Sequence, residues 1–478
     1  MLGLAILFNV KLNFVAGFAY FANFLAILRT LVPAKNLSIM RVCGITALFH
    51  LNFEGIHPII DGNARTGRLT LNRRTSGTLL KYSFIMPGYE TSKTSQKTLL
   101  NLPSPGRYDI LLRYRNPMKR RMGEHVMRKI GVLTSGGDSP GMNAVVVSAA
   151  RSAAVAQMEL IGIKRGYNGL LGKSDHPAED MIHLPLDMIL DIADLPGTYL
   201  RTARCDEFRL PLYQQVAAIA LRRNGVEGLI VIGGDGSFRG MSDLCALGIP
   251  CIGIPATIDN DLPYTDITLG YDTAVNECVN AIRAIRATSR SHDRAHVVEV
   301  MGRNCGDIAL SAAASTGAEI LLVPEEPWSI PQVASRLQAL IDKGNTRVTI
   351  VVAEGAYKGS MKPFNVEKFL LSHHDTATLR QSGTKITAFM LAHILRKLVP
   401  QSEIRATVIG YTQRGESPTA RDSLFAFEAG HMAVELLSRG ISHRVIGRKR
   451  GHVFSMEMEQ ALKAERKFNK KMYRLVNA

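Results

Sequence analysis

Gly253-Ile254-Pro255-Ala256-Thr257-Ile258-Asp259-Asn260-Asp261 follows a short apolar run, Ile249 to Ile254, with the length and composition of a buried strand. Two carboxylates two residues apart then stand on what the polarity predicts to be an exposed turn. Alternate residues of an extended segment point the same way. One acid can take a proton while the other stays near a metal, as phosphate transfer to a hydroxyl requires.

Outward from this stretch the pattern repeats. Strands are expected over Lys129–Thr134, Gly228–Ile232, Cys251–Pro255, His296–Met301, Ile320–Pro324, Val348–Ala353 and Ala406–Ile409. Helical patterns lie between them near 141–157, 213–224, 271–287, 330–343, 384–398 and 421–439. Such alternation predicts an α/β protein with mainly parallel sheets flanked by helices. Ligands bind such sheets beyond the strand C-termini, and nearly all the glycine-rich turns stand there.

The 478 residues can bury at least two cores. The net charge of +17 is uneven: residues 1–126 hold 17 Lys+Arg against 5 Asp+Glu, leaving only +5 for the rest. A mild excess there suits small phosphorylated substrates, and with no basic stripe interleaved with aromatics, no nucleic-acid partner is expected. The six cysteines contain no C-x-x-C pair, which disfavours zinc and fits a reducing cytosol. Residues 1–42 are apolar, and Leu12 to Leu28 is an uncharged run, borderline for a membrane helix and interrupted by Asn13 and Asn23. A cytoplasmic protein without a membrane anchor is expected. Residues 85–126 read as a basic, mobile connector.

Three more turns could carry phosphate chemistry. Thr134-Ser135-Gly136-Gly137-Asp138-Ser139-Pro140-Gly141 joins a strand to a helix, where backbone N–H groups can face an anion. Gly233-Gly234-Asp235-Gly236-Ser237 repeats the arrangement, with the Asp235 carboxylate able to reach Mg²⁺. Met301-Gly302-Arg303 ends a strand with an arginine where negative charge could gather, and Arg204, Arg294, Arg405 and Arg414 could hold a sugar phosphate. The chain lacks a P-loop signature, and no dinucleotide fingerprint stands at the second turn.

Together KIGVLTSGGDSPGMN, RTARCDEFR, IVIGGDGS, GIPATIDND, SHDRAHVVEVMGRNCGD and ATVIGYTQRGESPT, in that order, resemble the bacterial-type ATP-dependent 6-phosphofructokinases, from Met127 to about Gly447. The resemblance implies two Rossmann-like lobes, an ATP lobe of about 127–270 and 413–466 and a sugar-phosphate lobe of about 271–412, with the site in the cleft between them. It implies phosphorylation of fructose 6-phosphate by ATP with Mg²⁺, in a homotetramer. Asp259 would be the base, with Thr257 beside the transferred group, Asp261 near the metal and Arg303 stabilising the transition state. Gly137, Arg204, Cys205, Gly234, Asp235, Gly236 and Ser237 would surround the nucleotide, with Asp235 at the metal. Met301, Gly302, Glu354, Tyr411 and Arg414 would contact the sugar phosphate, joined by Arg294 and Arg405 from a neighbouring subunit.

Pyrophosphate-using relatives carry aspartate at the position of Gly236 and lysine at that of Ala256, so ATP is favoured over pyrophosphate. Tyr411 replaces a usual histidine, and Cys205 an aromatic near the adenine. Of the family's effector pocket Arg151, Arg286, Glu319 and Lys343 match, while Val147, Leu186 and Asn345 replace basic residues, which should weaken a multiply charged effector. The stretch from Gly355 to Glu403 is longer than in compact relatives.

A separate stretch, Phe53 to Arg68, resembles the active loop of Fic-type AMP transferases, with His57 as base, Asp61 at a metal and Asn63, Arg65 and Arg68 on phosphates. The match is short, and an isolated helix or two cannot hold a metal-nucleotide site in register. Residues 1–84 are therefore expected to be an inert fragment rather than an autonomous fold, with Met127 the natural first residue. A bifunctional chain and a non-catalytic paralogue are the rival readings.

Overall fold

The computed structural model describes residues 57–61, 67–75, 78–86, 127–173, 176–358, 360–364 and 386–478. The chain divides into two compact units, Met1–Arg120 and Arg121–Ala478. In the first, strands β1 (His57–Asp61), β2 (Gly67–Thr75) and β3 (Thr78–Met86) form an antiparallel sheet in the order β1-β2-β3. His57 stands opposite Asn72 and Asp61 opposite Arg68. Of the Fic-like stretch, His57–Asp61 and Gly67–Arg68 are therefore strand. Strand β3 runs two residues into the expected connector, to Met86; Asn63 and Arg65, the apolar run 12–28 and the rest of the connector, 87–126, lie outside the described residues.

The second unit holds two sheets. Strands β4 (Lys129–Thr134), β5 (Glu159–Ile163), β6 (Met181–His183), β7 (Gly228–Gly233) and β8 (Cys251–Pro255) belong to the larger. Strands β9 (Ala295–Val300), β10 (Ile320–Leu322), β11 (Thr349–Ala353) and β12 (Ile404–Val408) make the smaller. Strands β13 (Arg444–Lys449) and β14 (His452–Glu457) complete the larger. The orders are β14-β13-β8-β7-β4-β5-β6 and β10-β11-β9-β12. All pairs are parallel except β13·β14 and β5·β6, at the edges of the larger sheet.

The sequence determines this through period-two alternation within continuous apolar runs. Ile130, Val132, Ile230 and Ile232 face one core of the larger sheet, and Leu133, Leu229 and Val231 face the other. In the smaller sheet Val297, Ile350 and Val352 oppose Val298, Val351 and Ala353. Both faces are covered, as parallel strands require. Each fully buried branched side chain contributes about 1.5–3 kcal/mol.

Helices α1 (Met142–Val155), α2 (Pro211–Arg223), α3 (Asp235–Ala246), α4 (Tyr271–His292) and α5 (Asp307–Thr316) pack on these sheets. The expected strands all form, with ends moved by two residues at most. Strands β5, β6, β13 and β14 and helix α5 were not foreseen, whereas α3 follows the second turn as the strand-then-helix reading of that turn expects. Strands β13 and β14 carry Arg444, Arg448, Lys449 and His452, so local polarity hides both. Among the described residues no helix is long and apolar enough to cross a membrane.

Candidate active site

Four strand-ending turns meet in the second unit. At the first, between β4 and α1, the Ser135 N–H donates to the Ile232 carbonyl at 2.9 Å, drawing it against β7. At the second, the Ser237 hydroxyl returns a bond to the Ser135 carbonyl at 3.1 Å. Gly233 is obligatory there, because a Cβ would lie 2.6 Å from that same carbonyl. Helix α3 starts after Gly234 with no side-chain cap, so its first N–H groups remain for an anionic ligand. A side chain at Gly236 would meet nothing within 4 Å. Asp235 faces Arg239 on the same helix at 3.0 Å.

The third turn touches the second: the Ala256 N–H donates to the Gly233 carbonyl at 3.0 Å, and the Thr257 side chain lies beside Gly234. Here the structure corrects the sequence expectation. Asp259 is not on an exposed turn but 3 % exposed. Nor is the segment extended, since Asn260 between the two acids has φ of 53°. The bridge between Ala256 and Leu269 closes the loop 257–268 that carries both acids. Asp259 Oδ1 and Asp261 Oδ1 are buried and receive no hydrogen bond.

Burial, then the neighbouring Asp261, pushes the Asp259 carboxyl up to about 6, against the pull of Arg414 and Arg303. Asp261 is also raised, first by burial; Arg303 opposes the shift and Asp235 adds to it. Asp235, Asp259, Asp261 and Arg303 therefore share one electrostatic neighbourhood.

The fourth turn is rigid. Gly302 has φ of 137°, and a Cβ there would lie 2.4 Å from the Cys305 carbonyl. Arg303 is left-handed at φ of 51°, a conformation costing about 1–3 kcal/mol that tertiary contacts must impose. Its N–H donates to Glu354 Oε1 at 2.7 Å, and the Met301 N–H to the buried Gln413 at 3.3 Å. Arg414 reaches across to the first turn, donating to the Asp138 carbonyl at 2.5 Å beside Gly137.

Other expected residues lie further out. Arg204 is exposed, its carbonyl accepting from Asn168. Cys205 is half-buried beside Glu207, and burial raises its thiol pKa. Tyr411 is 81 % exposed. Arg294 and Arg405 both pair with Glu403, Arg294 at 2.6 Å. Strand β9 separates Arg294 from Met301 by roughly 20 Å of extended chain, so these arginines do not join the four turns of their own chain. In the effector-like region Arg286 pairs with Glu319 at 3.1 Å and Asn345 donates to Glu319 at 3.4 Å, while Val147 is buried in the core. Gln413, Asn260, Asp307 and Arg466, which hold these turns, went unnoticed in the sequence because their partners are distant along the chain.

Among the described residues no three His, Cys, Asp or Glu side chains converge as a metal cage. Mg²⁺ needs none, since it binds one or two carboxylates together with water and phosphate oxygens. The buried, donor-free Oδ1 of Asp261, which feels the Asp235 charge, fits such a cation.

A family profile described as Phosphofructokinase matches residues 129–437. The chain is 41% identical over 352 residues to ATP-dependent 6-phosphofructokinase 1 of Clostridium perfringens, covering 74% of this chain and 99% of that protein. It is 43% identical over 352 residues to the ATP-dependent 6-phosphofructokinase of Clostridium tetani, with the same coverage. Among solved structures it is similar to phosphofructokinase from Saccharomyces cerevisiae, with a TM-score of 0.57 and 29% identity over 70% of this chain and 45% of that one.

Proposed function

The chain belongs to the phosphofructokinase family, and from that premise we propose how it phosphorylates fructose 6-phosphate with ATP to give fructose 1,6-bisphosphate and ADP. The observation that carries the residue assignments is the buried Asp259, raised to about 6 within reach of the Arg303 charge. A base poised just below neutral pH is ionised yet still a useful proton acceptor.

Asp259 takes the proton of the sugar 1-hydroxyl as its oxygen attacks the γ-phosphorus, and the bond from that phosphorus to the ADP oxygen breaks. Arg303 offsets the charge that builds on the phosphoryl oxygens, with Thr257 beside the transferred group. The first N–H groups of α3, with Gly137, Arg204, Cys205 and Gly234 to Ser237, hold the nucleotide. The open space at Gly236 supports ATP over pyrophosphate. Asp235, with Asp261 nearby, would hold Mg²⁺, which supplies charge neutralisation at the phosphates. Met301, Gly302, Glu354, Tyr411 and Arg414 bind the sugar phosphate.

Arg294 and Arg405 complete the sugar-phosphate site of a second subunit in a homotetramer. Their distance from the turns of their own chain supports this reading. The kinase unit is residues 127–478, with lobes of about 127–270 plus 413–466 and about 271–412, working in the cytoplasm. The Fic-like stretch is assigned no activity.

A coupled assay of the purified chain with fructose 6-phosphate tests this, supplying ATP or pyrophosphate beside an Asp259→Ala control. Turnover with ATP alone, abolished in the control, is expected. Turnover with pyrophosphate, or undiminished turnover in the control, refutes the respective assignment.

A further inference from the structure

The turn carrying Asp259 and Asp261 follows β8 of the larger sheet, yet its anchor belongs to the smaller one. Asn260, between the two acids, uses both ends of its side-chain amide. Its Oδ1 accepts from the Thr268 N–H at 3.0 Å, and its Nδ2 donates to Asp307 Oδ2 at 3.1 Å. Thr268 closes the loop by donating its hydroxyl to the Thr257 carbonyl at 2.6 Å. Asp307 is the first residue of α5, four positions after Arg303. One side chain thus links the acids to the element that begins just beyond the arginine.

Asp307 is itself held. Arg466, from the C-terminal segment, places Nη2 2.8 Å from Asp307 Oδ1, a charge contact without hydrogen-bond alignment. Its Nη1 donates to Glu325 Oε1 at 2.8 Å, and the same oxygen accepts the Gly306 N–H at 2.9 Å. Arg466 therefore clamps the start of α5 from two sides. Asn260 adopts a left-handed backbone that asparagine tolerates, and both ends of its amide are engaged in this anchor. By contrast Asp259 Oδ1 and Asp261 Oδ1 receive no hydrogen bond, so their orientation depends on the backbone of the turn.

We propose that Asp307 and Arg466 are positioning residues for phosphoryl transfer, acting through Asn260 to hold the two acids in register with Arg303. This rests on the reading of Asp259 as the base. A displacement of about 1 Å in such a constellation costs about 10²-fold in rate, so turnover should be affected far more than substrate binding.

The test uses the full chain. Asn260→Gly preserves the left-handed backbone and removes both side-chain bonds; Asp307→Ala removes the acceptor. Each should lower kcat about 10²-fold while KM for ATP and fructose 6-phosphate stays within about threefold. The double variant should lose little more than the worse single one, because both break one linkage. Arg466→Lys retains charge but cannot fork between two carboxylates, and should give an intermediate kcat at near-normal melting temperature, whether or not Asp307→Ala folds. Normal kcat in Asn260→Gly, a loss confined to KM, or losses that multiply to about 10⁴ in the double variant would overturn the proposal. Asp259→Ala measured alongside separates the two ideas. If it is inactive while Asn260→Gly is normal, only the positioning role fails; if it turns over normally, the base assignment itself fails.

Discussion

Replacing Asp259 by asparagine should stabilise the protein while removing its chemistry. The carboxyl goes from an ordinary 3.8 to about 6 on folding, so the folded state binds its proton more tightly than the unfolded state does. Its contribution is therefore fully favourable below about pH 3.8 and is lost as pH rises through about 6. At 1.36 kcal/mol per unit, the penalty near neutral pH approaches about 3 kcal/mol. Asparagine, of equal size and never ionised, escapes it. With an unfolding entropy of about 2.1 cal/mol/K per residue across residues 127–478, that equals a rise of about 4 °C in Tm. The gap should be widest from pH 7 to 8 and shrink to about half at pH 5, where most of the native Asp259 is already protonated. Melting the two proteins across pH 5 to 8 measures it, and kcat of the variant should fall about 10²–10⁴-fold. A variant that melts at or below the parent at pH 7.5, or a gap independent of pH, would refute burial of a charged Asp259 as the cause.

Other outcomes follow from the same geometry. In the parent, kcat/KM should fall tenfold per pH unit below about 6 as Asp259 protonates, and a profile flat to pH 5 would contradict that. Arg303→Ala should cost about 10²–10³ in kcat with little change in melting temperature, since the side chain is exposed, and steady-state kinetics beside calorimetry check both halves. Gly236→Asp has open space and should fold normally while raising KM for ATP about tenfold by repelling its phosphates; an unchanged KM would place the nucleotide elsewhere. Asp259→Ala and Arg405→Ala chains, each inactive alone, should regain activity when refolded together, because mixed oligomers contain some intact shared sites. No recovery would put both residues in one subunit's site.

Much of this architecture was legible because parallel strands covered on both faces are written as unbroken apolar runs. Lys129–Thr134 and Cys251–Pro255 form between the expected residues. Edge elements were less readable, since β13 and β14 carry basic residues on a half-exposed surface. The candidate residues were legible by type and spacing, but their surroundings were not. Asp259 and Asp261 looked like exposed acids on an extended segment. Instead Asp259 is buried, the Ala256–Leu269 bridge ties the ends of the loop that carries it, and the left-handed Asn260 bends the segment.

Side-chain pattern alone set the alternation of strands and helices, the order of four phosphate-type turns and the identity of the acids and arginines on them. Those properties depend on side-chain chemistry and short-range spacing, which local reading captures. The folded packing was needed to bury Asp259 enough to raise it to about 6, to bring Arg414 across to the first turn and to set Arg466 against Asp307. Desolvation and charge pairing act through space between residues far apart in the chain, and their strength exists only once both sheets have folded around the same turns.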